Sequence, residues 1–172
     1  MLHITSVKAL FPAALKLIPQ PPRELFIEGR WADLADKPRV AVIGSRKASP
    51  YGRLVTERLV RALVTYGITV VSGLAFGIDS IAHQAALDSG GLTIAVLPSG
   101  LDNIYPATHR HLANQIVKQG GALISEYPPK TESFKTNFIA RNRLIAGLSQ
   151  AVLITEAAAH SGSLGVYVIG GN

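Results

Sequence analysis

The stretch Arg39-Val40-Ala41-Val42-Ile43-Gly44-Ser45-Arg46 decides the fold, because a run of apolar, largely β-branched residues ends abruptly in a glycine. Such a run is typical of a strand that is buried on both faces, and the glycine lets the chain turn sharply after it. Four further short apolar runs follow, at residues 68–71, 93–97, 122–124 and 151–154. We therefore expect five buried strands in a parallel sheet.

The segments between these runs carry apolar residues on one stripe, as amphipathic helices do. They cover residues 52–66, 78–89, 108–119 and 137–148. The alternation of strand and helix predicts an α/β, Rossmann-like doubly wound fold, with a mostly parallel sheet and helices on both faces. Ligands bind beyond the carboxyl ends of the strands in such sheets, so the loops there are the candidate site.

Residues 1–38 interrupt this regularity, because their five prolines exclude a long helix. We expect this segment to be a lead-in, with a short strand and turn at residues 25–29. It would belong to a single domain of residues 1–172, a length that can bury a core large enough to fold alone.

The net charge of +6 favours a polyanionic partner, although solvated lysines give the same balance. The chain has no cysteine, which excludes disulfides, thiolate metal sites and cysteine nucleophiles. No apolar run approaches the roughly 18 residues that a membrane span needs. The first residues also lack the pattern of a signal peptide, so we expect a cytoplasmic protein with no membrane segment.

The loop after the first predicted strand has the composition of a phosphate-binding loop. Gly44 permits a tight turn, Ser45 and Ser49 provide hydroxyl groups, and Arg46 can donate two hydrogen bonds to one phosphate. Free amides at the start of the next helix also attract anions. Neither G-x-G-x-x-G nor G-x-x-x-x-G-K-[ST] occurs, so NAD and ATP sites are disfavoured and no cofactor is expected. The alternative is an ordinary turn with a solvated arginine.

A second glycine-rich loop follows the second predicted strand, from Ser72 and Gly73 to Gly77. Because loops from adjacent strands meet at one edge of the sheet, the two glycine loops should line one groove. Asp79 and His83 lie four residues apart on the next predicted helix, so their side chains can meet. No third metal ligand is evident, and we expect a structural hydrogen bond between them rather than a metal site.

Basic and aromatic side chains interleave around the start of the fourth predicted helix, at Lys135, Phe138, Arg141 and Arg143. This mixture lets a protein neutralise phosphates and stack an unpaired base. The alternative is that Phe138 belongs to the core and that the arginines are surface charges or internal salt-bridge partners. Tyr105, in the loop after the third predicted strand, can stack on a ligand or pack, and packing is favoured.

A set of short motifs runs through residues 10–164 in a fixed order. They are Gly44-Ser45-Arg46, Ser72-Gly73 through Gly77-Ile78-Asp79 with Ala82-His83, Gly100 through Tyr105-Pro106, Ser125-Glu126, Arg141 through Ser149, Glu156-Ala157, and Ser161-Gly162-Ser163-Leu164. Each motif alone is unspecific. The whole set in this order resembles the DNA-processing protein A family, also called Smf.

The resemblance implies an extended Rossmann fold, a homodimer and a positively charged pocket for single-stranded DNA, without established catalytic activity. Family members protect single-stranded DNA and load the RecA recombinase during natural transformation. The DNA pocket would comprise Gly44, Ser45, Arg46, Ser49, Ser72, Gly73, Lys135, Phe138, Arg141 and Arg143. In this scheme Arg46 and Lys135 hold phosphates, and Phe138 stacks on a base or supports it.

The sequence departs from the family pattern near its end. In the family, the Ser161–Leu164 motif normally opens a helix that a strand follows, but here a strand-like run, Val166–Ile169, comes directly after it. A deleted helix, a skipped segment or an unrelated tail each account for this. The sequence also contains neither the C-terminal winged-helix domain nor the N-terminal helical domain that many members add.

Two other functions stay open at this point. Related Rossmann-like folds include phosphoribohydrolases, which release a base from a nucleoside monophosphate. Their Pro-Gly-Gly-x-Gly-Thr-x-x-Glu pattern is absent after the fifth predicted strand, although Glu156 could still act as a carboxylate near a phosphate site. A structural or interaction module is the third alternative, because fold alone does not fix function.

Overall fold

Short apolar runs form the seven strands of one sheet in the computed structural model, which describes residues 1–157. The strands are β1 (Leu2–Thr5), β2 (Glu24–Gly29), β3 (Arg39–Gly44), β4 (Thr69–Ser72), β5 (Thr93–Val96), β6 (Ala122–Ser125) and β7 (Ala151–Glu156). They lie in the order β1-β2-β6-β5-β4-β3-β7, and the strands from β6 to β7 in this order are parallel. All five predicted strands are confirmed, each close to its expected bounds.

Within residues 1–157, five α-helices connect the strands. They are α1 (Trp31–Leu34), α2 (Pro50–Thr65), α3 (Ile78–Asp88), α4 (Arg110–Lys118) and α5 (Lys135–Gly147), and 3-10 turns occur at Ala13–Lys16 and Ala107–His109. At the start of α2, the Ser49 hydroxyl accepts a hydrogen bond from the Gly52 amide at 3.0 Å, and Pro50 occupies the first turn. Both residues favour a helix start, because the first amides of a helix lack carbonyl partners and proline has no amide to satisfy.

The direction of the chain crossovers changes once in the parallel part of the sheet. From β3 the chain moves stepwise to β4, β5 and β6, and it then returns to place β7 on the other side of β3. Right-handed crossovers in opposite directions leave their helices on opposite faces. Accordingly, Val42 and Val70 pack with Ile78 of α3 in one core, whereas Val71 packs with Leu144 of α5 in another. The doubly wound α/β fold is therefore confirmed.

Residues 1–38 are part of the sheet. β2 pairs antiparallel with β6, and β1 pairs antiparallel with β2, so the strand predicted at residues 25–29 is confirmed. Trp31 fixes the segment between the two strands, because its buried indole Nε1–H donates to the Leu10 carbonyl at 2.9 Å. Leu15, from the first 3-10 turn, packs in the same core as Leu144 of α5.

The departure from the family pattern near the end of the sequence lies outside the described residues. It concerns the strand-like run Val166–Ile169 and the helix missing after the Ser161–Leu164 motif. Within residues 1–157, no helix is both long enough and apolar enough to cross a membrane.

We expect Trp31→Ala to lower the free energy of unfolding by about 3–5 kcal/mol, because it empties a buried aromatic site and leaves the Leu10 carbonyl without its donor. Urea unfolding followed by circular dichroism measures this change, since the variant has lost the only tryptophan of the chain. Leu17→Ala is the control, because Leu17 is 87% exposed and its removal should change stability by no more than about 0.5 kcal/mol. Equal stability of both variants would show that the lead-in does not support the core.

Candidate nucleic-acid interface

The two glycine-rich loops touch through their backbones at the carboxyl edge of the sheet. The Ile78 amide, at the start of α3, donates to the Ser45 carbonyl at 3.0 Å. Gly77 has a φ of +75°, and a side chain there would meet the carbonyl oxygens of Ser45 and Arg46. The loops after β3 and β4 are therefore adjacent, as expected, at a sheet edge where doubly wound folds bind ligands.

The start of α5 joins these loops through aromatic contacts. The guanidinium carbon of Arg46 lies 5.3 Å from the centre of the Phe138 ring. The Tyr105 ring packs edge-on against Phe138, with the ring centres 5.3 Å apart. The Asn137 side-chain amide donates to the Pro98 carbonyl at 3.1 Å and ties α5 to the loop after β5. Arg46, Phe138 and Tyr105 thus form one row that crosses three segments of the chain.

Two of the predicted phosphate-binding side chains are exposed. Arg46 and Lys135 both face solvent, and neither has a carboxylate partner among residues 1–157. Lys47, beside Arg46, is exposed as well. These cations are therefore available to an anion from outside the protein.

The small residues of the predicted site shape the backbone under these side chains. Gly44 ends β3 so close to β7 that a side chain there would collide with the neighbouring strand. The buried Ser72 hydroxyl donates to the Val42 carbonyl at 2.7 Å, and the Ser45 hydroxyl donates to the Lys47 carbonyl at 3.0 Å. Both hydroxyls are used inside the protein, and their contact with DNA stays a prediction.

Arg141 lies beneath the loops. It is 3% exposed, and its Nη1 atom donates to the carbonyl oxygens of Gly73 and Val96, at the ends of β4 and β5. A Cβ atom at Gly73 would collide with the guanidinium, so a side chain there would displace Arg141. Burial lowers the pKa of Arg141 to about 10, and the Asp79 carboxylate opposes this shift. The arginine is still charged at neutral pH, and its direct contact with DNA stays a prediction.

Arg143 forms an ion pair with Glu126, which follows β6. Nη1 and Nη2 donate to the two carboxylate oxygens at 3.0 and 2.6 Å, and both side chains are largely buried. Nε donates to the Gln20 carbonyl at 3.0 Å, which ties α5 to the lead-in. Arg143 thus has the internal salt-bridge role that the sequence left open, and a role in binding DNA stays a prediction.

A carboxylate of the protein occupies the start of α2. The Ser49 amide donates to both carboxylate oxygens of Glu156, at 3.1 and 3.2 Å, and the Ser49 hydroxyl donates to one of them at 2.8 Å. The sequence predicted that this helix start attracts an anion, but not that the anion belongs to the chain itself. The order of the strands explains the contact, because β7 ends at Glu156 directly beside β3.

The prediction of a hydrogen bond between Asp79 and His83 is wrong, because each side chain has another partner. The Nδ1 atom of His83 lies 2.7 Å from the Thr93 hydroxyl, which itself donates to the Val70 carbonyl, so Nδ1 carries a proton and donates. Asp79 instead accepts from the Gly73 amide at 3.1 Å. Both side chains are buried, and Asp79 bonds to the loop after β4 while His83 bonds to β5. Within residues 1–157, no group of three histidines, cysteines or carboxylates could hold a metal ion.

Burial shifts the pKa values of this pair in opposite senses. It raises the pKa of the Asp79 carboxyl, while Arg141 and hydrogen bonds from Ala75 and Gly73 oppose the shift. Burial lowers the pKa of His83 to about 3, with smaller contributions from His109 and Arg141. His83 is therefore neutral at physiological pH, and it has a structural role under the loops.

An exposed arginine on an aromatic ring, set in glycine-rich loops at the carboxyl edge of a Rossmann-like sheet, defines a domain suited to phosphate groups and bases. The family model for DNA recombination-mediator protein A matches residues 3–168. The chain belongs to this family, and the resemblance of its motifs to DNA-processing protein A is confirmed.

Individual relatives support this assignment. The chain is 46% identical over 154 residues to protein Smf of Escherichia coli, a match that covers 90% of this chain and 41% of that protein. DNA processing protein A of Streptococcus pneumoniae has a TM-score of 0.90 at 40% identity, over 97% of this chain and 58% of that one. The Helicobacter pylori protein, studied for its unique single-stranded DNA binding mode, has a TM-score of 0.86 at 35% identity, over 97% and 75% of the two chains. The chain spans less than two thirds of the length of the curated relatives it matches.

We expect His83 to destabilise the folded protein increasingly as the pH falls from about 6.5 towards 3, because the unfolded chain protonates His83 before the folded chain does. His83 alone contributes a slope of up to about 1.4 kcal/mol per pH unit. His83→Asn keeps a donor for Thr93 but does not titrate, so its stability should fall less steeply in urea unfolding measured at pH 7 and pH 5.

Two features make this comparison specific. Asp79, whose raised pKa has the opposite effect on the slope, is present in both proteins and cancels. His111→Asn is the matched comparison, because it removes an exposed histidine instead of a buried one. Identical slopes in wild type and His83→Asn would contradict the assignment of His83 as a buried neutral group.

Proposed function

We propose that this chain binds single-stranded DNA and that the contact between Arg46 and Phe138 is the centre of the interface. The observation that carries the proposal is an exposed guanidinium over an aromatic ring, at the place where the loops after β3 and β4 meet the start of α5. A guanidinium can donate two hydrogen bonds to one phosphate, and a ring can stack on an unpaired base. A single-stranded polynucleotide offers both groups side by side, whereas a duplex keeps the faces of its bases stacked.

The charge at this edge supports a polyanionic ligand. Arg46, Lys47 and Lys135 are exposed there, and the whole chain has a net charge of +6. Cations that bind phosphates release condensed counterions, so binding of this kind weakens as the salt concentration rises. Lys135, at the first turn of α5, would contact a second phosphate.

The other residues of the pocket have supporting roles in this proposal. The absence of side chains at Gly44 and Gly73 leaves room for β7 and for the Arg141 guanidinium, respectively. The Ser45 hydroxyl bonds within its own turn, and the Ser72 hydroxyl ties β4 to β3. Arg141 and Arg143 hold the loops and α5 in position from below. Ser49 would offer its amide and hydroxyl to a phosphate once Glu156 moves away.

The family gives this binding a biological setting. We infer that the protein protects single-stranded DNA and passes it to the RecA recombinase during natural transformation. In this proposal it acts in the cytoplasm as a homodimer and carries out no chemical step of its own. The relation to the DNA processing proteins of Streptococcus pneumoniae and Helicobacter pylori supports the proposal.

We expect Arg46→Glu to weaken the binding of a single-stranded oligonucleotide by several-fold or more, because a phosphate contact becomes a repulsion. The slope of log affinity against log salt concentration should also become shallower by about 1, which corresponds to the loss of one phosphate contact. Fluorescence anisotropy at several salt concentrations measures both quantities.

Arg61→Glu is the matched control for this variant. It makes the same change in net charge on an exposed arginine towards the far end of α2. Equal loss of affinity in the two variants would mean that binding depends on non-specific charge. No loss in either variant would mean that Arg46 does not contact the DNA.

We expect Glu156→Gln to strengthen the binding of the same oligonucleotide by about two- to five-fold. The glutamine keeps an acceptor for Ser49 but removes a negative charge, and two unit charges about 4 Å apart in water interact by about 1 kcal/mol. Glu28→Gln is the control, since Glu28 is exposed near the end of β2, at the opposite edge of the sheet. Unchanged or weaker binding by Glu156→Gln would mean that no phosphate approaches the start of α2.

A further inference from the structure

A second aromatic pair lies in the loops after β4 and β5. The rings of Phe76 and His109 meet edge-on, with their centres 5.0 Å apart. Phe76 is 47% exposed, although neighbouring Leu74 in the same loop is fully buried. The pair therefore presents an aromatic surface to solvent at the edge of the sheet that carries Arg46.

Backbone contacts hold this pair in place. The Nδ1 atom of His109 lies 2.8 Å from the Leu74 carbonyl, which can only accept, so Nδ1 carries a proton and donates. Leu74 has a φ of +58°, a conformation that leucine rarely adopts, and its buried side chain anchors the loop. Groups that are already fixed lose little conformational entropy when a ligand binds.

Both aromatic pairs belong to segments of the chain that contact Arg46. Its guanidinium contacts Phe138, which in turn contacts Tyr105. Its backbone lies against Gly77, the residue after Phe76. Arg46 thus contacts Phe138 through its side chain, and through its main chain it contacts the loop that carries Phe76.

We propose that Phe76 and His109 form a second base-binding subsite, over which a DNA strand held at Arg46 and Phe138 continues. The inference rests on the proposed function, and it names the path of the strand. Two aromatic rings and an arginine in adjoining loops offer contacts for two bases and for the phosphate between them along a single strand. Arg110, exposed and adjacent to His109, provides a cation for the following phosphate.

The arrangement differs from ordinary surface exposure of apolar groups. Single exposed hydrophobic residues are common and have no functional meaning. Tyr66 is one of these, because it is 81% exposed at the end of α2 and contacts no other ring within residues 1–157. Phe76, by contrast, contacts a second ring and precedes Gly77, which lies against the Arg46 backbone.

The test compares the binding of two oligonucleotides of the same length and charge, a thymidine 12-mer and an abasic 12-mer, by anisotropy. Phe76→Ala should weaken binding of the thymidine 12-mer by about five-fold or more, since stacking depends on the base. It should bind the abasic 12-mer as the wild type does, and its salt dependence should be unchanged. Tyr66→Ala is the matched control and should bind both as the wild type does.

The outcomes separate the subsite from the proposed function. If the wild type binds the thymidine 12-mer and Phe76→Ala binds it equally well, the subsite is wrong while the function stands. An equal loss on both oligonucleotides also overturns the subsite, because it would not depend on bases. If the wild type binds neither oligonucleotide, the proposed function and the subsite fail together. Equal melting temperatures of wild type and Phe76→Ala confirm that the variant is folded.

Discussion

The buried guanidinium of Arg141 joins the ends of β4 and β5, because its Nη1 atom donates to the carbonyls of Gly73 and Val96. The amide of the same glycine donates to Asp79, so one short segment contacts both a buried cation and a buried carboxylate. Leaving a buried charge without its compensating partner costs about 3–5 kcal/mol. Phe138 lies about one turn before Arg141 on α5. The contact of Phe138 with Arg46, in the loop after β3, therefore depends on the hydrogen bonds of the buried Arg141.

The strands could be predicted because a parallel strand buried on both faces is a continuous apolar run, as β3 and β4 show. The glycine and serine turns that follow these strands indicated the candidate site, because ligands bind beyond the carboxyl ends of parallel strands. The extension of the sheet by β1 was not predicted, because Leu2–Thr5 is short and its pairing depends on β2, which is distant in sequence. The pairing of β2 with β6 has the same long-range origin.

The partners of the charged residues were less predictable than the strands. Arg141 and Arg143 are two residues apart on a helix, so they point in different directions and meet different partners. Asp79 and His83 have a spacing that permits a direct contact, yet Asp79 bonds to the loop after β4 and His83 bonds to β5. Sequence spacing limits which side chains can meet, whereas the choice between permitted partners depends on the packing of other elements.

The carboxylate of Glu156 at the start of α2 has a consequence for how a bound strand would leave. A group tethered beside an anion site competes with any external anion at an effective concentration that is often in the millimolar range. In a protein that holds DNA, such an internal competitor would raise the dissociation rate of the phosphate at that position. The site would then favour short residence and easy transfer of the strand over permanent storage.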